Sequence, residues 1–410
     1  MKIALIGSGG REAAIAWKLR KDALPENVFV LPGNGGIENS IPINPLDFKK
    51  VEEFIETQKI GLIIVGPEKP LQFGVVDYLK NSGKLVLGPN KKAALLESSK
   101  CYAKSFMKKY GVATADFKEF SSPKEAFDSI DRDNPQVIKF DGLAAGKGVF
   151  VCKDFSEATD ALHKIEKTYG SDSRIIVEET LSGPELSIIG FTDGKSFSLI
   201  SPSQDHKRLL NGNKGPNTGG MGAFCPVPFC DKSLVKKIEK EIIFPTLKGI
   251  QAEKLDYLGP IYFGVMITPD GPKLLEYNAR MGDPETQVLL PSLKTSLIDI
   301  AEACFAGKLD EIKIEVVDKY FMGVVLATGG YPEKSSPEAK INGLSEVDKE
   351  ILLFHMSTKK IENDFYTNGG RILTVVGSGK TLKAASEKTY KACRKISFAG
   401  MQYRTDIGKS

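Results

Sequence analysis

Histidine occurs only three times in this 410-residue chain, cysteine six times and widely scattered, and the net charge is a bare +4. Each scarcity excludes a class of protein. The cysteines stand at 101, 152, 225, 230, 304 and 393, and the nearest two, Cys225 and Cys230, lack zinc-ligand spacing and a matching second pair. They read as reduced thiols of a cytoplasmic protein. The basic residues are dispersed, so no nucleic-acid surface is expected. No apolar run reaches the ~18 residues of a membrane span, and the chain enters a strand pattern at Lys2 with no room for a leader. Of the histidines, His163 falls in a helix pattern and His355 in an apolar strand, which leaves only His206 in a polar loop.

Two common nucleotide signatures are missing as well. A P-loop needs glycine, four residues, then Gly-Lys-Ser/Thr. Asp141 stands six positions before Lys147 and Gly148 follows it, while Thr374 occupies the required glycine position before Gly379-Lys380-Thr381. The dinucleotide fingerprint requires glycine where Glu12 stands, and an acid ending the second strand where Pro32 and Gly33 stand. A dehydrogenase is therefore not expected.

What is present is a chain of alternating elements, long enough for two to four domains. Residues 1–97 alternate short apolar runs (Ile3–Ile6, Val28–Leu31, Leu62–Val65, Leu85–Leu87) with helical stretches around Arg11–Arg20, Asp47–Gln58 and Pro70–Asn81. That order predicts a parallel sheet covered by helices, with ligand loops beyond the strand ends. Gly9-Gly10-Arg11, opening a helix, suits a single phosphate, although a tight strand–helix turn would look the same. A helix over Ser98–Tyr110 ends at Gly111. Beyond it, Lys139 to Val149 (KFDGLAAGKGV) reads as a hairpin with a bare tip between two lysines, Lys139 and Lys147. Such a tip can close over a polyanion, because backbone N–H groups approach where side chains are small. A flexible turn with solvated lysines fits equally well.

Glu178 and Glu185 flank a turn at Gly183-Pro184, where a purine could use backbone groups and a carboxylate could take ribose hydroxyls. Ser203–Arg208 and Gly215–Ala223 form a long polar, glycine-rich passage. A helix is expected over Lys232–Lys248. The strand Lys273–Ala279 carries Glu276, Asn278 and Arg280 at a spacing of two, which places them on one face. A carboxylate and an amide oxygen so placed can share Mg²⁺, and the arginine extends the face toward an anion. The wet face of an ordinary sheet would alternate in the same way. From about residue 316 the chain shows strands, turns (among them Thr367–Arg371) and a helix, but no catalytic constellation.

Taken together, IKFDGLAAGKG, VEETLSGPE, SQDHKR, GPNTGGMGA and LLEYNARMGDPETQ resemble the ATP-grasp superfamily. Within it the chain resembles the phosphoribosylamine–glycine ligase family, from IGSGGRE at the start to TNGGRIL and RTDIG at Arg404–Gly408. The resemblance implies an α/β and α+β fold: a Rossmann-like parallel-sheet domain at 1–97, an ATP-grasp domain at 98–315 with a flap subdomain at 112–190, and a C-terminal α+β domain at 316–410. It implies that ATP, glycine and 5-phosphoribosylamine give glycinamide ribonucleotide, ADP and phosphate, through a glycyl phosphate, in purine synthesis. It places Lys139 and Lys147 at the α/β-phosphates, Glu178 and Leu181 at the adenine, Glu185 at the ribose, and Glu276 and Asn278 on Mg²⁺ or Mn²⁺. Arg280 would neutralise carboxylate or phosphoryl charge, and Lys147 and Asp205 are the other candidates for a part in the chemistry. Gly9, Gly10, Arg11, Gly33 and Asn34 would lie near the ribose phosphate, and Asp205 and Lys207 near glycine or the amine. No nucleic-acid or membrane partner is implied, and a monomer is the working expectation.

The chain departs from the family pattern at Ala13, where histidine is usual, and at Ser98, where glycine is usual. The strand before E-x-N, YFGVMIT, supplies no acid. Two rivals remain at this point: another ATP-grasp ligase or carboxylase, and a nucleotide-binding protein without chemistry.

Overall fold

The structure is a computed structural model and describes residues 1–144, 148–334 and 336–409. The short apolar runs near the start form parallel strands at Ile3–Gly7, Val28–Pro32, Leu62–Val65 and Val86–Pro89. They are buried on both faces, as all-parallel strands covered by helices must be. The stretch expected as one helix over Pro70–Asn81 is two, Glu68–Phe73 and Val75–Asn81. Gly74 separates them with a left-handed φ of +87°.

This parallel group does not stand alone. Val86–Pro89 pairs antiparallel with the start of the long strand Tyr257–Thr268 (Tyr257 with Pro89, Leu258 with Gly88). Tyr257–Thr268 then pairs with Glu185–Thr192 on one side and Gly271–Asn278 on the other. From Glu185–Thr192 the sheet continues through Phe197–Asp205, Gly222–Cys225, Tyr320–Thr328 and Arg371–Gly379 to Leu352–His355. The result is one 13-stranded sheet running from the first strands of the chain to its last unit.

A second, four-stranded sheet is separate, in the order Phe117–Phe120, Ile175–Glu179, Gln136–Phe140, Val149–Cys152. Its helix Phe155–Tyr169 is capped by Asp154, which accepts from the Glu157 N–H, and it buries Ala158, Ala161, Leu162 and Ile165. That i, i+3, i+4, i+7 stripe supplies one side of a small private core shared with Ala126, Ile130, Ile138, Cys152 and Ile175. Glu185–Thr192 belongs to the large sheet, so the small sheet ends at Glu179.

The polar passage 203–223 is more ordered than its composition suggests. It contains the end of Phe197–Asp205, a hairpin of Arg208–Leu210 with Lys214–Asn217, and the strand Gly222–Cys225. The Lys232–Lys248 pattern is helical throughout but includes a π segment at Glu239–Ile243. No described helix is long and apolar enough to cross a membrane.

Candidate active site

A cleft of about 770 Å³ lies where the small sheet, the helix Lys100–Tyr110 and the strand Gly271–Asn278 of the large sheet meet. On that strand the alternation works as expected. Tyr277 and Ala279 point into the core at 2% and 1% exposure, while Glu276, Asn278 and Arg280 line the cleft. A bulge in the pairing, with Gly264 opposite Glu276 and Val265 opposite Leu274, leaves Leu275 unpaired. The free Leu275 carbonyl accepts from the Lys139 ammonium at 3.3 Å. Lys139, one residue before the end of the small-sheet strand Gln136–Phe140, is tied to the large sheet by this bond.

Glu178, expected at the adenine, lines the cleft from a buried position. Its carboxylate is 3% exposed and pairs with Lys139 at 2.8 Å and with Lys104 at 3.2 Å. Lys104 also donates to Thr114 Oγ1 at 2.7 Å. Burial pushes its ammonium down to about 8, against the attraction of Glu178. The Glu178 side chain therefore sets lysine positions, and Leu181 remains in the cleft wall beyond it. Between them and the large sheet, Gly183 adopts φ +152°, and a Cβ there would stand 2.0 Å from the Ile267 carbonyl, so the chain must turn on glycine.

Glu276 is ringed by cations. Burial alone would raise its pKa, but Lys207, Lys100 and Lys139 together hold it below the usual carboxylate range. Lys207 bridges Glu185 at 3.0 Å and Glu276 at 3.9 Å. Burial would lower its pKa, yet Glu185, Tyr262 and Glu276 raise it well above the ordinary lysine value. Among the described residues no group of three or more His, Cys, Asp or Glu side chains could hold a metal ion. Glu276 and Asn278 offer two hard oxygens on one face, which suits Mg²⁺ or Mn²⁺ only if phosphate and water complete the shell.

Arg280 pairs with Glu97 at 2.8 Å and with Glu68 at 3.6 Å. Burial opposes its charge, but these two carboxylates hold it firmly protonated. Asp205 lies in the same cleft with Glu285 and Arg371. Burial first, and then Glu285, raise the Asp205 pKa well above the usual value, against Lys207 and Arg371. Glu285 itself accepts from Ser187 Oγ at 2.8 Å.

Other expected residues are distributed differently. Arg11 lines the cleft, but Gly9 and Gly10 open on an adjoining cleft of about 310 Å³ toward Tyr331, Met356 and Gly370. The Gly9 N–H is already taken by Glu12 Oε2 at 2.6 Å, and Arg11 Nε by Glu12 Oε1 at 2.6 Å. The residue that breaks the dinucleotide fingerprint is thus the N3 acid that reaches back to the N-cap N–H of the helix. Gly33 and Asn34 line neither cleft. The Asn34 amide donates to the carbonyls of Ser8, His355 and Met356, so it ties loops together. His206 is held neutral, its pKa lowered to about 4 by burial and then by Arg404. Lys147 lies outside the described residues. Ala13 and Ser98 are both buried, at 8% and 7%.

Sequence reasoning missed several groups here. Lys100 reaches the Gly142 carbonyl at 2.9 Å, and Lys104 sits one helical turn on. Arg371, from the unit with no evident constellation, lines both clefts. It pairs with Asp283 at 3.4 Å and donates to the Asp283 carbonyl at 2.9 Å and to Gly219 O. Its only signal was its place after the Asn368-Gly369-Gly370 turn.

The chain matches the phosphoribosylglycinamide synthetase models over nearly its whole length: the N domain at 1–97, the ATP-grasp (A) domain at 98–286 and the C domain at 321–410. It is 44% identical to the phosphoribosylamine–glycine ligase of Clostridium acetobutylicum over 100% of both chains. It is similar to the crystal structure of the phosphoribosylamine–glycine ligase from Thermotoga maritima, with a TM-score of 0.85, 34% identity and coverage of 99% and 100%. The biotin carboxylase domain of Hydrogenobacter thermophilus 2-oxoglutarate carboxylase, solved with MgADP and bicarbonate, shares the fold at TM-score 0.69 and 16% identity, over 98% of this chain and 91% of that one.

Proposed function

The chain belongs to the phosphoribosylglycinamide synthetase (phosphoribosylamine–glycine ligase) family, and from that premise we propose that it is an ATP-dependent ligase joining glycine to 5-phosphoribosylamine. The products are glycinamide ribonucleotide, ADP and phosphate, in purine synthesis. The observation that carries the reading is the single wall on which Glu276, Asn278 and Arg280 face Lys139, Lys100 and Lys207. Phosphoryl transfer asks a protein mainly for positioning and charge neutralisation, and this wall offers both.

In this reading Lys139 and Lys147 hold the α/β-phosphates, with Lys139 kept in place by Glu178 and the Leu275 carbonyl. The hinge around Glu178 and Leu181 takes the adenine, and Glu185 the ribose. Glu276 and Asn278 hold Mg²⁺ or Mn²⁺, which supplies charge neutralisation at the phosphate oxygens when bound. Arg280 stabilises charge as the glycine carboxylate attacks the γ-phosphoryl group. The P–O bond to ADP breaks and a glycyl phosphate forms. The ribosylamine nitrogen then attacks the acyl carbon and phosphate leaves. Asp205 and Lys207 serve the glycine and amine end, and Gly9, Gly10 and Arg11 the ribose phosphate. The enzyme works in the cytoplasm, as a monomer, on small molecules. The N-terminal unit at 1–97, the ATP-grasp unit at 98–315 with its flap, and the unit from 316 divide these tasks.

Coupled ADP release with glycine and freshly made phosphoribosylamine, each omitted in turn, tests the proposal. Release that requires both supports it. Release indifferent to glycine overturns it, and dependence on bicarbonate would indicate a carboxylase instead.

A further inference from the structure

Among the described residues, the hairpin of Arg208–Leu210 and Lys214–Asn217 is a two-stranded sheet attached to no other strand. A two-stranded unit is marginal in water without a hydrophobic face to pack. This one has little: Leu210, near its tip, is 50% exposed. Yet Arg208, Asn213 and Asn217 line the main cleft beside Lys207 and Asp205, so something must hold the hairpin still.

The grip comes from the C-terminal run Arg404-Thr405-Asp406, a stretch to which the proposed chemistry gives no part. Arg404 is only 2% exposed, and its donors are divided between two jobs. Nε and Nη2 bind the two Asp406 oxygens at 2.8 Å each, while Nη1 donates to Arg208 O at 3.1 Å and Asn213 Oδ1 at 2.9 Å. Asp406 Oδ2 also accepts from the Gly212 N–H at 2.8 Å. Asn211 closes a reciprocal pair with Thr405: its amide donates to Thr405 Oγ1 at 2.7 Å, and its oxygen accepts from the Thr405 N–H at 2.9 Å. A fork whose Asp406 arm orients it and whose other arm ends on the hairpin is a rigid tie.

We propose that Arg404, Thr405 and Asp406 form a clasp that positions the 208–217 hairpin, and through it sets the affinity for the glycine and amine end of the cleft rather than for ATP. The inference rests on the proposed function for the identity of those substrates. These are positioning residues, since none of the three lines the cleft.

The test uses Asn211→Ala and Thr405→Ala, both at exposed positions, together with Asp406→Asn and Arg404→Lys. The expected result is a rise of about ten-fold or more in KM for glycine or phosphoribosylamine, with KM for ATP changed less than about two-fold. Amide hydrogen exchange should accelerate at 208–217 and not in the strands flanking the main cleft. Unchanged exchange at 208–217, unchanged substrate constants, or an equal rise in KM for ATP overturns the clasp. If the unmodified enzyme shows no glycine-dependent ADP release, the functional reading fails while the exchange measurement still decides whether the clasp holds the hairpin. Should Arg404→Lys fail to fold, the two exposed variants decide the matter.

Discussion

Replacing Lys104 by methionine should make the protein more stable at neutral pH and a poorer binder of ATP. Lys104 is only 2% exposed, and its pKa falls from 10.5 to about 8 even with Glu178 beside it. At about 1.4 kcal/mol per pKa unit, holding that proton costs the native state roughly 3 kcal/mol relative to the unfolded chain. Methionine fills a similar volume without charge, but it leaves Thr114 without its donor, a loss of about 1 kcal/mol. The net expectation is a gain of about 2 kcal/mol at pH 7. The sign reverses the usual picture of a stabilising ion pair. Between pH about 8 and 10.5 the unfolded chain binds the proton that the native state has released, so wild-type stability rises with pH and the advantage of the variant shrinks. Meanwhile Glu178 keeps only Lys139, draws it closer, and misplaces it for phosphate. KM for ATP should rise about ten-fold. Urea unfolding at pH 7 and pH 10, with coupled ADP release, measures both effects. A variant less stable than wild type at pH 7, by an amount unchanged at pH 10, would refute the charge argument and show that Lys104 serves packing.

Three further outcomes are expected. Glu276→Gln removes the charged member of the two-oxygen face, so the Mg²⁺ concentration for half-maximal turnover should rise at least about ten-fold in a metal titration, and EDTA should abolish wild-type turnover. Arg371→Ala leaves the Gly219 and Asp283 carbonyls without the guanidinium that donates to them. Steady-state kinetics should show kcat/KM for glycine falling about 10²-fold, consistent with losing charged hydrogen bonds worth roughly 3 kcal/mol. Asp205 has a raised native pKa, so the wild type should lose stability as pH rises from the ordinary carboxylate range through that higher value. Asp205→Asn should be more stable above that range by thermal unfolding, and should flatten the acid limb of the kcat/KM profile.

The parts of the site legible in the sequence are those whose geometry is local. Glu276, Asn278 and Arg280 share a face because a strand alternates, and Lys139 stands near a strand end because the turn at Asp141-Gly142 follows closely. The parts that escaped depend on tertiary packing. Lys104 stands in a helix whose apolar stripe, Tyr102, Phe106 and Met107, leaves it reading as solvated; only the small sheet, folding down with Glu178, buries it. Arg371 follows a glycine turn and reads as loop, yet its strand pairs with Tyr320–Thr328 and so reaches Asp283. The 203–223 passage reads as loop because its partners are remote. Gln204 pairs with Phe224, and Gly222 with Val324, registers that no local window contains. Asn34 shows the opposite failure: a loop asparagine near glycine suggests a ligand contact, whereas its amide is fully occupied by three backbone carbonyls.

The two residue pairs joining Val86–Pro89 to Tyr257–Thr268 carry a consequence for anyone who cuts the chain. A fragment of residues 1–97 would retain its four parallel strands but present Val86–Pro89 as a bare edge, with Leu87 cut off from Ile189, Phe191 and the rest of the core cluster it shares with them. An unpaired apolar edge is a template for strand addition, so the fragment should self-associate or precipitate. A charged substitution or a proline on that edge, rather than a different cut site, is what would make the piece soluble.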